Sequence, residues 1–290
     1  MDADDERTMG RPRGGDATSP LDVDADDFTH SPWLYPGTAG PSSALLDDDH
    51  LVPLTATTGE RLGAYRAGDH SLDELLHGRG VPSSGDRVLV VAIGSNASPA
   101  VVRRKFAGQG VSTVVPLFTG LVHEVSVGHS AHISIRGYVP AAPFAHEGAE
   151  TPVIASLLDE DQLAALDRTE PNYERVLVDA PDHPLFFENG ERPGHYHLYV
   201  SRRGVVGDEE GRTGLLTQEE IADYLTRAHP GYTTFRGEDA IEDVMARLAR
   251  DEPGRAGLVE GLIEEGLVHD SGITGSPRAL TYGETPSTFG

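Results

Sequence analysis

Arg87-Val88-Leu89-Val90-Val91-Ala92-Ile93-Gly94-Ser95-Asn96-Ala97-Ser98-Pro99 is the stretch on which the fold turns. Residues 88–93 are apolar without interruption and mostly β-branched, the pattern of a strand covered on both faces. Gly94-Ser95-Asn96 then supplies turn residues, Ser98 an N-cap and Pro99 a first helical position. Val101, Val102, Lys105 and Phe106 follow at helical spacing until Gly108 and Gly110. A strand, a tight turn and a helix are therefore expected. Successive backbone N–H groups at such a turn form a receptor for a carboxylate or an oxyanion. The same sequence also serves as an ordinary strand-to-helix connection in which Ser95 and Asn96 satisfy only the backbone.

Downstream, segments 114–117, 121–127 and 132–139 read as strands of a meander punctuated by glycines, followed by a loop over 140–151 and a strand over 153–157. Asp159 and Gln162 have capping-box spacing ahead of a helix that turns Leu163 and Leu166 inward, and Pro171 forces an exit from it. Further strands are expected over 174–178 and 195–201. Thr217 and Glu220 open a helical region with stripes at Ile221, Tyr224 and Leu225, then Ile241, Val244, Met245 and Leu248, then Leu258, Leu262 and Ile263. The expected organisation is a disordered acidic arm over 1–43, a helical appendage over 44–85, a core over 86–210, a helical extension over 211–270 and a loose tail over 271–290. Within the arm only Trp33-Leu34-Tyr35-Pro36 has the character to dock on anything.

Composition narrows the chemistry. The 290 residues include no cysteine, so disulfides, thiolate metal sites and a cysteine nucleophile are excluded, and a reducing cytoplasm is the simplest setting. No apolar run reaches the roughly 18 residues of a membrane span, and the start MDADDERTMG is not a leader peptide, so no membrane partner is expected. A net charge of -24 repels a phosphate backbone, so no nucleic-acid partner is expected either. Lys105 is the only lysine, with arginine supplying the remaining positive charge. No Walker loop, dinucleotide fingerprint or nucleophile elbow fits the Gly94 turn, and neither a cofactor nor a resident metal is expected.

The second chemical feature is Leu166-Asp167-Arg168-Thr169-Glu170-Pro171-Asn172-Tyr173, where a carboxylate ends a helix just before a proline. The negative helix end and any burial both disfavour its anion, which suits Glu170 to acid/base work, while a solvated pairing with Arg168 or Arg175 is the commoner fate of a glutamate. His195 and His197 share one face of an expected strand, and His123, His129 and His132 lie near strand ends. Together with Ser95 they keep a serine or metal-dependent amide hydrolase among the alternatives.

In order and context the two features resemble the γ-glutamylcyclotransferase-like family. Its members carry a Tyr-Gly-Ser-Asn loop after the first strand, a later Leu-Asp-x-x-Glu segment ending a helix, and a tyrosine on a following strand. Here these are Ile93-Gly94-Ser95-Asn96, Leu166-Asp167-Arg168-Thr169-Glu170, and Tyr199 in His197-Leu198-Tyr199-Val200. Two positions depart from the pattern, with Ile93 in place of the loop tyrosine and Pro171 in place of the glycine after the glutamate.

The resemblance implies an α+β fold built on a mixed β-barrel with flanking helices. The implied reaction is intramolecular cleavage of a small γ-glutamyl substrate to 5-oxoproline and a free amine. It also implies Glu170 as general acid/base, with Ile93, Gly94, Ser95, Asn96, Tyr173 and Tyr199 forming the substrate-binding set. A non-catalytic module that binds a small ligand or a protein on the same fold is the alternative, and the oligomeric state is left open.

Overall fold

A computed structural model describes residues 18–40 and 42–290; the portion of the expected disordered arm at 1–17 lies outside the described residues, as does Pro41. The main sheet has nine strands: β1 (Ser19–Pro20), β2 (Ala44–Asp47), β3 (His50–Pro53), β4 (Val88–Ala92), β5 (Val115–His129), β6 (Ala141–Leu158), β7 (Tyr173–Asp179), β8 (Leu185–Phe187) and β9 (His195–Ser201). Its order is β1-β3-β2-β5-β6-β4-β9-β7, with β8 pairing β5. The helices are α1 (Leu72–Gly78), α2 (Pro99–Ala107), α3 (Glu160–Arg168), α4 (Gln218–Ala228), α5 (Pro230–Arg236), α6 (Ile241–Arg250) and α7 (Glu252–Glu264). The molecule is thus α+β with a mixed sheet: β4 runs antiparallel to β6 and parallel to β9.

All five residues of β4 are buried because both faces of the sheet are covered. Leu89 and Val91 join a cluster with Phe118, Tyr196, Leu198 and residues of α1, whereas Val88, Val90 and Ala92 pack against Phe106 of α2 and Leu163 and Leu166 of α3. Helices α2 and α3 form as their caps predict. Ser98 accepts the Val101 N–H, and Asp159 and Gln162 make both arms of a capping box.

The sheet is open and the expected barrel is not formed among the described residues, since β1 and β7 stand at its two ends. The edge of β5 through which a barrel would close is occupied by β2 and β8. The segment expected as a helical appendage therefore contributes strands β2 and β3 to the main sheet as well as α1. Between β5 and β6 the expected meander is instead one long hairpin, and 132–139 belongs to its connecting loop rather than to a strand. Gly120 and Gly128 are not turn points. A Cβ at Gly120 would lie 3.1 Å from Leu185, and one at Gly128 would lie 2.4 Å from the Thr213 carbonyl. They permit close approach of neighbouring segments within a continuous strand. The ladder is irregular at Glu124, which has φ 60° beside the register shift between His123 and Val125.

Two segments expected to be loose are packed. In the N-terminal arm Phe28 and Tyr35 are buried, and Arg104 of α2 donates to the carbonyls of Val23 and Ala25. In the tail Tyr282 is buried in the main core, and its hydroxyl donates to the buried Glu191 carboxylate at 2.6 Å while residues Ser287–Phe289 pair with Glu191–Pro193. Helices α4 to α7 build a separate apolar cluster that takes in Ala131, Ile133 and Val139 of the β5–β6 loop. The helical extension thereby props the loop that overhangs the end of β4. Ile263, read as part of an inward stripe, is 64% exposed, because Leu258 and Leu262 alone complete the buried face of α7. No helix among the described residues is long and apolar enough to cross a membrane.

Candidate active site

A cavity of about 540 Å³ opens where β4 ends. Its floor is the end of β4 with the 94–96 turn, one wall is the α3–β7 connection with β9, and the β5–β6 loop and residues 26–29 overhang it. Ile93, Gly94, Ser95, Asn96, Glu170, Tyr173 and Tyr199 all line it, so chain folding brings the seven sequence-predicted positions to one space.

After β4 the chain makes a short 3-10 turn at Ser95–Ala97 before α2 begins. Gly94, with φ -123° and ψ -145°, is not in the left-handed region that would by itself call for glycine. Its lack of a side chain matters for space: a Cβ there would sit 2.9 Å from the Tyr35 hydroxyl oxygen and 3.3 Å from the Ala141 Cβ. The Tyr35 hydroxyl accepts the Ala141 N–H at 3.0 Å, and the Tyr173 hydroxyl donates to the Ala141 carbonyl at 2.8 Å. Both polar groups of the first residue of β6 are thus held by tyrosines of the cavity wall. Tyr138 stacks on Tyr35 with ring centroids 4.3 Å apart.

Glu170 lies two positions beyond the end of α3, and its side chain is 14% exposed. Across 74 positions of sequence Asn96 Nδ2 donates to Glu170 Oε1 at 3.0 Å. Lys105 Nζ donates to the same oxygen at 2.7 Å and to Asn96 Oδ1 at 2.7 Å. A closed triangle of ammonium, carboxamide and carboxylate therefore ties α2 and the turn to the end of α3. Among the described residues Glu170 Oε2 takes no hydrogen bond, and it remains the free oxygen of the carboxylate. The expected surface pairing with Arg168 or Arg175 does not occur: Arg168 bonds Gln109, and Arg175 forks onto Asp167 at 2.9 and 3.1 Å. The charged partner of Glu170 is instead Lys105.

Tyr199 reaches the cavity with its proton committed, donating to Asp167 Oδ1 at 2.6 Å. Burial of Asp167 alone would raise its carboxyl, but the Arg175 fork and the Tyr199 hydroxyl outweigh that and hold it below the usual aspartate range. Burial pushes the Tyr35, Tyr173 and Tyr199 phenols up, and Tyr138 is pushed up to about 12 by burial and then by the Glu170 charge. The negative charge of Glu170 acts on all four, so the carboxylate sits among tyrosines that stay protonated at neutral pH.

The histidines are dispersed. His195 pairs with Asp179 at 2.8 Å, buried His197 bonds the Arg278 carbonyl, and His129 bonds the Val139 carbonyl and the Leu216 N–H. His132 reaches the cavity wall, with its Nδ1 and Ser130 Oγ 2.6 Å apart. No histidine bonds Ser95, which leaves the serine-hydrolase alternative without its base, and no three His, Asp or Glu side chains among the described residues group in a way that could hold a metal ion.

Sequence reasoning missed Tyr35, Tyr138 and the role of Lys105. Two of these carried a signal. Tyr35 stands in the arm's one apolar patch, and Lys105 is the single lysine in a chain that otherwise uses arginine.

No protein-family model matches this chain, and no curated protein matches it. Solved structures with a similar trace include a solution structure of an Arabidopsis thaliana protein, 16% identical over 60% of this chain and 91% of that chain, with a TM-score of 0.34. Another is a gamma-glutamyl cyclotransferase, 13% identical over 65% of this chain and 92% of that chain, with a TM-score of 0.33. A third is an uncharacterized protein from Homo sapiens, 14% identical over 66% of this chain and 93% of that chain, with a TM-score of 0.32.

Proposed function

We propose that this chain cleaves a γ-glutamyl amide by intramolecular cyclotransfer, with Glu170 as general acid/base. One observation carries the reading: the Glu170 carboxylate and the 94–96 turn share one cavity, with Oε1 anchored by Asn96 and Lys105 and Oε2 free of any partner among the described residues. An anchored carboxylate with one oxygen left over is oriented to accept a proton from a bound amine. The substrate's α-nitrogen attacks its own γ-carbonyl carbon, forming the ring C–N bond. Oε2 takes the proton shed by that nitrogen and returns it to the leaving nitrogen as the amide C–N bond breaks. The products are 5-oxoproline and a free amine. No protein nucleophile is required, because the attacking group and the carbonyl belong to one molecule and the cavity need only hold them in the reactive conformation. The backbone N–H groups of the 94–96 turn are suited to the developing oxyanion. The protonated phenols of Tyr35, Tyr138 and Tyr173 add neutral polar groups to the wall.

The test is incubation with a panel of γ-glutamyl amino acids and γ-glutamyl amines, following 5-oxoproline by chromatography. At least one member of the panel is expected to react. Glu170→Gln, which preserves shape and the Asn96 contact region, is expected to lower the rate by about 10²–10⁴-fold. Silence across the panel, or full activity in Glu170→Gln, refutes the proposal.

A further inference from the structure

We infer that Lys105 is the anion receptor of the cavity, and that its ion pair with Glu170 opens to admit zwitterionic ligands, the ammonium turning to the ligand's carboxylate while Glu170 turns to its amine. The inference deepens the cyclotransfer reading, on which its choice of ligand class rests. It stands on the unused bonding capacity of the pair. An ammonium has three donors, and Lys105 spends two, on Glu170 Oε1 and Asn96 Oδ1. Glu170 in turn keeps Oε2 free among the described residues. Both side chains line the cavity and are partly exposed to it, at 20% for Lys105 and 14% for Glu170.

Charge balance then selects the ligand. A ligand that is only a cation competes with Lys105 for Glu170 and leaves the ammonium uncompensated at a partly desolvated wall, and a ligand that is only an anion does the reverse. A ligand carrying both charges exchanges one ion pair for two. The class so defined has a free α-amine and a free α-carboxylate on one carbon, with the scissile amide on the side chain. A local cation is needed for this purpose, because a chain of net charge -24 repels anions over most of its surface. Asp26 and Asp27 stand at the same cavity and offset Arg104 and Arg136, which also line it, and Arg104 is spent on the carbonyls of Val23 and Ala25. Lysine suits the task better than the arginine used everywhere else in the chain. Its ammonium is a compact, rotatable point charge that can pass from one acceptor to another, whereas a guanidinium fork is committed to a planar pair.

The experiment measures binding rather than turnover, so it stays informative if the cyclotransfer reading fails. The probes are L-glutamine and 4-aminobutanamide, which share the ammonium and the side-chain amide and differ by the α-carboxylate alone. With one lysine in the chain, incorporation of lysine ¹³C-labelled at Cε gives a single side-chain methylene signal. Saturable movement of that signal by L-glutamine but not by 4-aminobutanamide is expected. Lys105→Met is expected to weaken L-glutamine binding by roughly 10–100-fold, the worth of a charge-assisted hydrogen bond. Glu170→Gln removes the partner of the ligand's ammonium and is expected to weaken it as well. Absence of saturable L-glutamine binding to the wild-type chain, equal binding of the two probes, or unchanged affinity in Lys105→Met overturns the inference. Loss of activity in Glu170→Gln together with these binding changes supports both readings. L-glutamine binding as described without any turnover of γ-glutamyl amides refutes only the cyclotransfer.

Discussion

Replacing Gly94 by alanine tests whether the Tyr35 hydroxyl is part of the turn. Gly94 does not have a positive φ, so the main cost of a methyl group is one of space. The added Cβ meets the Tyr35 oxygen at 2.9 Å, and relief to ordinary contact requires the hydroxyl to retreat by about 0.5 Å or more. Tyr35 has little room to retreat: it is buried, stacked on Tyr138, and edge-on to Phe28 at 5.3 Å. Its retreat also stretches the 3.0 Å bond from the Ala141 N–H, which has no other partner at hand. Overpacking costs about 1–3 kcal/mol and the lost bond about 1 kcal/mol more, so Gly94→Ala is expected to destabilise by about 2–4 kcal/mol.

The same substitution in a Tyr35→Phe background meets no oxygen, only the ring carbon at 3.9 Å, and the cost is expected to fall by at least ~1 kcal/mol. The contact with Ala141 at 3.3 Å is common to both backgrounds and cancels in the cycle. Equilibrium urea unfolding of the four proteins measures the coupling. Equal costs in the two backgrounds, within ~0.5 kcal/mol, would refute the claim that Tyr35 packs against this turn.

Acid sensitivity follows from three buried histidines. His129, His132 and His197 are each lowered to about 4, chiefly by burial. The unfolded chain protonates them near the ordinary value of 6.5, so between there and about 4 it binds more protons than the folded one, and stability falls as pH drops, by up to ~1.4 kcal/mol per pH unit for each histidine. Urea midpoints measured from pH 7 to pH 4 should drop accordingly, and a flat profile would contradict the burial of these rings. Tyr282→Phe removes a donor from the buried Glu191 carboxylate and is expected to cost about 1.5–3 kcal/mol in the same unfolding assay, whereas a loose tail would make it silent.

Local signals carried the parts of the fold whose determinants lie close together in sequence. The apolar run 88–93, the Ser98-Pro99 entry to α2, and the capping boxes at Asp159 and Thr217 all act within one turn or one strand, and each forms the element it announces. The long β5–β6 hairpin was illegible because Gly120 and Gly128 read locally as breaks. Their reason is non-local, the close approach of Leu185 and Thr213. The open sheet was illegible for a similar reason: whether β2 and β8 take the edge of β5 depends on strands far apart in the chain. Composition also misjudged residues 18–40 of the N-terminal arm, where a few apolar side chains, Phe28 and Tyr35 among them, dock on the body despite polar surroundings.

By itself the sequence determined the strand-turn-helix around Gly94, the helix ending before Pro171, and the residue types available for acid/base work, because propensity, capping and turn chemistry are local. Only the tertiary structure decided that Glu170 faces Asn96, that Lys105 completes the triangle, and that Tyr35 reaches the turn from the far N-terminal side. Those are distances between segments brought together by burial of a shared core, and no local pattern encodes them.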